Sequence, residues 1–182
     1  MFLKEFYFRN SGSIEFIVGM LAAIKLGAIY VPMGINHPAQ RMISIIENCE
    51  PKVIITSQKV YGRIVPNLDP KRNSFLLVDD AQTCVSPQNW VEIRGENAHL
   101  TSSFVANTAL TCIIYTSGST GSPKGVVIKK ESLDNFVKST IDTYKLDKNS
   151  VFLCIFPMYY DASYFCFAVL SAGGKIVCSI RN

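Results

Sequence analysis

The stretch Tyr115–Gly125 reads Tyr-Thr-Ser-Gly-Ser-Thr-Gly-Ser-Pro-Lys-Gly and concentrates the groups that bind an anion. Glycines at 118, 121 and 125 let the backbone bend and approach a ligand with no Cβ in the way. Successive N–H groups in such a turn form an anion-binding nest. Thr116, Ser117, Ser119, Thr120 and Ser122 offer hydroxyls, and Lys124 supplies the positive charge. The chemistry is that of a phosphate chain held by amides, hydroxyls and one cation. A ligand-free Ser/Gly hairpin turn is the plain alternative; the strand–loop–strand setting of these eleven residues favours binding. A Walker A loop is a poor fit, because there Gly-Lys-Ser/Thr opens a helix. Here Lys124 follows Pro123 and precedes Gly125, and the chain runs on into a strand.

The elements that must position this loop alternate between strand and helix without an internal repeat, the pattern of a layered α/β domain. Phe6 to Phe8 reads as a short strand. Ser13 is placed to cap a helix over Ile14 to Leu26, with Gly27 at its C′ position. Ala28 to Val31 reads as extended chain running into Pro32. A second helix starts near Pro38, buries Met42, Ile45 and Ile46, and stops at Pro51. Lys52 to Thr56 is a predicted strand. Between Ser57 and Ala109 only Ser74 to Val78 carries a strand signal. Ala109 to Tyr115 feeds the loop and Gly125 to Ile128 leaves it. Ser132 is expected to cap a helix with Leu133, Phe136, Val137, Thr140, Ile141 and Tyr144 on one face. Val151 to Phe156 is an apolar strand of the kind buried on both faces. Asp161 to Leu170 is predicted helical, Gly173-Gly174 turns the chain, and Lys175 to Ile180 forms a last strand.

Composition narrows the function classes. Only 18% of the 182 residues are charged, well below the usual quarter, against 48% hydrophobic. The expectation is that some apolar surface is covered by chain not present here. The 18 basic residues are scattered and form no nucleic-acid stripe, so no nucleic acid partner is expected. Six cysteines show no Cys-x-x-Cys spacing, and Cys112, Cys154, Cys166 and Cys178 lie inside apolar runs as small core residues. The chain therefore reads as reduced and cytoplasmic, without a zinc site, and His37 and His99 read as structural. The uncharged run Phe16 to Ile24 is too short for a bilayer and lacks a signal-peptide layout, so no membrane is expected.

Tyr115–Gly125 resembles the signature loop of the adenylate-forming superfamily, which includes adenylation domains of nonribosomal peptide synthetases, acyl-CoA synthetases and luciferases. Leu21-Ala-Ala-Ile-Lys-Leu-Gly-Ala-Ile-Tyr-Val-Pro32 is similar to the peptide-synthetase motif Leu-Lys-Ala-Gly-x-Ala-Tyr-Val-Pro. Tyr160-Asp161-Ala162-Ser163 looks like their Phe-Asp-x-Ser motif, followed by a Leu-x-x-Gly-Gly-like turn at Leu170 to Gly174. The resemblance implies layered α/β sheets flanked by helices, with residues 1–182 a partial large N-terminal subdomain and the C-terminal subdomain absent.

It also implies a reaction, in which the carboxylate of an amino acid attacks the α-phosphorus of ATP to give an aminoacyl-adenylate and pyrophosphate. Thr116, Ser117, Gly118, Ser119, Thr120, Gly121 and Lys124 would hold the β- and γ-phosphates, with Lys124 the catalytic cation. Mg²⁺ would bridge the phosphates, but its family carboxylate is not found in this chain and no metal ligand is assigned. Asp161 would pair with the substrate α-ammonium; a helix-capping role is the plain alternative. Phe165 matches a side-chain-pocket position, and Tyr160 stands where the family has Phe. The acyl group would pass to a phosphopantetheine thiol on a carrier domain.

Departures set limits on that picture. Met33-Gly34 replaces Ile-Asp after Val-Pro, and His37 stands where an aromatic is common. The Tyr-Gly-Pro-Thr-Glu segment, the ribose-binding Asp and the C-terminal catalytic Lys have no counterpart in these residues. The expectation is a fragment that needs the remainder of its adenylation domain and does not complete catalysis alone. A fragment of an acyl- or aryl-CoA synthetase, and a non-enzymatic truncated product, remain the alternatives.

Overall fold

The computed structural model describes residues 4–8, 14–69, 72–77, 109–117 and 122–178. In chain order the main elements are β1 (Lys4–Phe8), α1 (Ile14–Lys25), β2 (Ile29–Pro32), α2 (Ala39–Cys49), β3 (Val53–Thr56), α3 (Gln58–Ile64) and β4 (Ser74–Leu77). They continue with β5 (Leu110–Ser117), β6 (Pro123–Lys129), α4 (Lys130–Tyr144), β7 (Val151–Cys154), α5 (Tyr164–Ser171) and β8 (Lys175–Cys178). One sheet runs in the order β4-β3-β1-β2-β5-β6, parallel except for the antiparallel β5–β6 hairpin at its edge. A second, two-stranded sheet pairs β7 and β8 in parallel, the connection between them carrying α5.

Alternation along the strands divides the core in two. Tyr30, Ile55, Cys112 and Ile114 face a cluster built with Phe16 and Met20 of α1, Leu133 of α4, and Cys166 and Phe167 of α5. Val31, Ile54 and Phe75 face the opposite cluster, built with Met42, Ile45 and Ile46 of α2 and Ile64 of α3. A mainly parallel sheet covered on both faces is the layered α/β architecture expected from the sequence.

The helix ends follow local chemistry. Gly27 has φ 67, its N–H bonds the Ile24 carbonyl at 3.0 Å, and Ala28 N–H bonds the Ala23 carbonyl at 2.8 Å, the paired bonds of a Schellman ending. Pro38 occupies the N-cap of α2, one residue outside the first turn. Helix α3 carried no clear sequence signal: it is seven residues long and buries only Val60 and Ile64. Its cap is Ser57, whose hydroxyl accepts from Val60 N–H at 3.3 Å.

Three expectations need correction. Helix α4 begins at Lys130 with Lys129 as N-cap, so Ser132 lies inside the first turn. The start is fixed instead by Lys130 N–H bonding the Ala109 carbonyl at 2.9 Å and by the Lys130–Asp134 ion pair at 2.6 Å. Strand β7 ends at Cys154, and Val151 (65%) and Leu153 (55%) are exposed. An apolar run does not reveal how many of its faces are covered, and the described residues cover one. The expected helix over Asp161 to Leu170 is a 3-10 turn, Asp161–Ser163, leading into α5. The expected cap Ser13 and the strand ends Val78 and Ile180 lie outside the described residues.

Candidate functional site

Strand β5 runs parallel to β2 with Tyr30 opposite Cys112, so Thr116 and Ser117 extend past the carboxyl end of β2. Ligands of parallel α/β sheets bind beyond such ends. Across the hairpin Thr116 pairs with Lys124 and Ser117 with Pro123, and the Thr116 hydroxyl donates to the Lys124 carbonyl at 3.5 Å. The hairpin thus brings both ends of the glycine-rich loop together; Gly118, Ser119, Thr120 and Gly121 lie outside the described residues. Lys124 is exposed, and among the described residues no carboxylate forms an ion pair with it.

The base of the hairpin is tied to α2. Tyr115 lies opposite Gly125, and its hydroxyl donates to Asn48 Oδ1 and contacts Cys49 Sγ at 3.4 Å. Burial, with Cys49 adding to it, raises the pKa of this phenol, so it stays a neutral donor. A Cβ on Gly125 would lie 2.8 Å from Ile113 Cγ2 and 3.1 Å from the Tyr115 ring. Gly125→Ala is therefore expected to cost about 1–3 kcal/mol, the usual range for overpacking. At roughly 2–4 °C per kcal/mol for a chain of this size, the melting temperature reads it directly.

On the opposite side of β6, α4 and α5 flank a cavity of about 480 Å³ that is open to solvent. Among the described residues, six apolar or aromatic ones line it: Ile128, Leu133, Phe136, Ala162, Tyr164 and Phe165. Asp161 and Ser132 are the polar lining residues. Phe165 is held by a stacked contact with Phe152 (6.0 Å) and edge contacts with Phe136 (5.5 Å) and Tyr144 (5.8 Å). Neither the Asp161–Ser163 turn nor α5 has a side-chain cap hydrogen bond, so the Asp161 carboxylate is not spent as a cap. Asp161 is exposed at the rim of the cavity.

The structure therefore brings Asp161 and Phe165 together. Tyr160 is placed apart from them: half exposed (51%), its ring packs on Tyr159 at 4.6 Å. Contributions from α4, above all Phe136, carried no functional signal beyond their place on a helix face. The hairpin and cavity share one face of the sheet. Cys112 and Ile114 point to the α4–α5 side, and with period two so do Thr116, Lys124 and Ile128. Lys124 and Ile128 are four residues apart, about 13–14 Å along the strand.

A second contact joins the ends of β2 and β7. Tyr159 lies on Gly34, where a Cβ would sit 2.5 Å from the ring, and its ring meets His37 edge-on at 4.9 Å. Arg63 of α3 donates to the Ile35 and His37 carbonyls at 2.7 and 2.9 Å. The Met33-Gly34 departure thus has a structural consequence: glycine leaves room for Tyr159. Burial lowers the pKa of His37 below its ordinary 6.5, and Arg41 adds repulsion. As pH falls the unfolded chain takes up this proton first. Stability is then intact above pH 6.5 and declines below it, levelling once folded His37 is also protonated. His37→Gln is expected to flatten urea midpoints across that window.

The thiols behave as core. Cys112 Sγ lies 3.0 Å from the Tyr164 hydroxyl, and Cys166 Sγ lies 3.8 Å from Cys154 Sγ. The neighbouring Cys154 and burial together push the Cys166 thiol well above its ordinary value, keeping it neutral. Among the described residues no three His, Cys, Asp or Glu side chains gather as a metal site, and no helix is long and apolar enough to cross a membrane.

Comparison with known proteins matches residues 9–182 to the profile of the AMP-binding enzymes. Indigoidine synthase of Streptomyces lavendulae is 34% identical over 151 residues, 83% of this chain and 11% of that protein. Gramicidin S synthase 2 of Brevibacillus brevis is 32% identical over 169 residues, 91% of this chain and 4% of that protein. A holo four-domain nonribosomal peptide synthetase solved with AMP and glycine superposes with a TM-score of 0.74 at 25% identity, covering 98% of this chain and 12% of that one. The chain thus spans an eighth or less of the length of each of these relatives.

Proposed function

The chain belongs to the AMP-binding enzyme family, and from that premise we propose that it supplies the phosphate clamp and part of the substrate pocket of an amino-acid-adenylating enzyme. The observation that carries this reading is the placement of Thr116 and Lys124 on the same sheet face as a cavity with one carboxylate, Asp161, at its rim. A carboxylate oxygen of the amino acid forms a bond to the α-phosphorus of ATP, and the bond from that phosphorus to the oxygen bridging to the β-phosphate breaks. Negative charge then grows on the departing pyrophosphate. Lys124 and the Thr116 and Ser117 hydroxyls, together with the amides of the glycine-rich loop, would stabilise it. Mg²⁺ would supply further charge on the phosphates. Asp161 orients the amino acid through its α-ammonium. The aminoacyl group would then pass to a phosphopantetheine thiol on a carrier domain, the sulfur displacing AMP at the acyl carbon.

Calorimetric titration of the chain with Mg-ATP tests the clamp. Tripolyphosphate should compete with ATP far better than AMP does, because the contacts are to the β- and γ-phosphates. Competition by AMP alone would refute the assignment. Amino-acid-dependent ATP–pyrophosphate exchange is expected only when the segment is supplied with the rest of an adenylation domain; robust exchange by the 182-residue chain alone would show that it is self-sufficient.

The same proposal gives the exposed face of β7 and β8 an occupant. Val151, Leu153 and Val177 are 65%, 55% and 48% exposed side by side, and the relatives are several times longer. We assign this face to the remainder of the domain. The isolated chain is expected to self-associate on gel filtration, and the pair Leu153→Lys and Val177→Lys to shift it toward monomer. A monomeric wild-type chain with a sharp melt would overturn this.

A further inference from the structure

The cavity between α4 and α5 also bears on which amino acid is taken, and this step rests on the adenylation reading above. We propose that it selects an α-amino acid with a large apolar side chain, and that Phe136 of α4 determines specificity by setting the size accepted. At about 480 Å³ the cavity falls within the range of small-molecule sites. Among the described residues its only charged lining residue is Asp161, which sits at the rim and is engaged by the α-ammonium. Beyond it the described walls offer a single hydroxyl from a non-aromatic side chain, Ser132. A carboxylate or ammonium on the substrate side chain would lose water there and gain no counter-charge, whereas an aliphatic or aromatic group loses nothing.

The wall is also fixed in place. Phe136 meets Tyr164 edge-on at 5.9 Å and Phe165 edge-on at 5.5 Å. Phe165 in turn is backed by Phe152 and Tyr144. Leu133 and Ser132 stand three and four residues before Phe136, so one face of α4 presents all three to the cavity. A rotamer braced on two rings defines a boundary that an unsupported side chain would not.

The test is a binding panel on the full chain by ligand-observed NMR, with glycine, L-glutamate, L-leucine, L-phenylalanine, L-tryptophan and 3-phenylpropanoate. L-Leucine or L-phenylalanine should bind about 10–200-fold more tightly than glycine and L-glutamate, the range a hydrophobic pocket achieves. Phe136→Ala should lower L-leucine affinity about tenfold and raise acceptance of L-tryptophan relative to L-leucine. Phe136→Leu, which keeps an apolar wall, should restore most of the L-leucine affinity. Equal binding of glycine, L-glutamate and L-leucine, or no binding of any of them at millimolar concentration, overturns the proposal. Equal binding of L-phenylalanine and 3-phenylpropanoate, both above glycine, would leave the apolar selection supported and remove the ammonium role of Asp161 instead.

Discussion

Replacing Lys124 with alanine is expected to slow adenylate formation about 10²–10³-fold, the usual loss when one preorganised donor to a developing charge is removed. The size of the effect follows from position. Lys124 stands opposite Thr116 at the end of the paired strands, where its ammonium would reach the phosphates that the proposed clamp holds. Its cross-strand bond to Thr116 is made by the backbone carbonyl and survives truncation of the side chain. The fold should therefore be unaffected, since the residue is exposed and surface changes of this kind stay within about 0.5 kcal/mol. Two measurements separate clamp from scaffold. ATP–pyrophosphate exchange, with the segment supplied the rest of an adenylation domain, should fall in rate, while the melting temperature of the isolated chain stays put. Tripolyphosphate affinity of the isolated chain should fall with it. An alanine variant that exchanges at the wild-type rate would take Lys124 out of the catalytic assignment.

The hairpin was legible because its chemistry is local. Glycine, hydroxyls and a lysine in one short run can be read without knowing what packs around them, and the flanking apolar runs announce strands. Prolines at 38 and 51 bracketed α2 for the same reason. Legibility failed where the deciding partner is distant in sequence. Ser132 has the side chain of a cap, yet the bond from Lys130 to Ala109 sets the start of α4. Gly34 looks like a lapse from a motif until Tyr159, more than a hundred residues on, is seen lying across it. The apolar run at β7 has a composition suited to burial on both faces, but composition carries no record of how many neighbours a strand has. Phe136 belongs to this group too: periodicity placed it on a buried face, and only the packing of α5 makes that face a cavity wall.

Asp161 is where the two candidate substrate classes part. An apolar cavity would accept a fatty or aryl acid as readily as an apolar amino acid, so the walls alone do not choose between them. A carboxylate at the rim does, because it attracts an ammonium and repels the carboxylate of an acid that has none. Asp161→Ala is expected to raise the KM for the amino acid about 10–150-fold, the equivalent of the 1.5–3 kcal/mol typical of a charge-assisted hydrogen bond. The residue is exposed and caps nothing, so thermal stability should not move. The informative comparison pairs the variant with the desamino acid in a double-mutant cycle. Wild type should prefer the amino acid; the variant should lose that preference, while the desamino acid reacts equally well or better with it. Asp161→Asn, which keeps the shape and loses the charge, should behave like alanine if charge pairing is the cause and like wild type if Asp161 only shapes the turn. Indifference of both substrates to both substitutions would move the reading to a CoA-ligase-like acid. The phosphate clamp at Lys124 would stand in that case, since it acts on ATP whichever acid attacks.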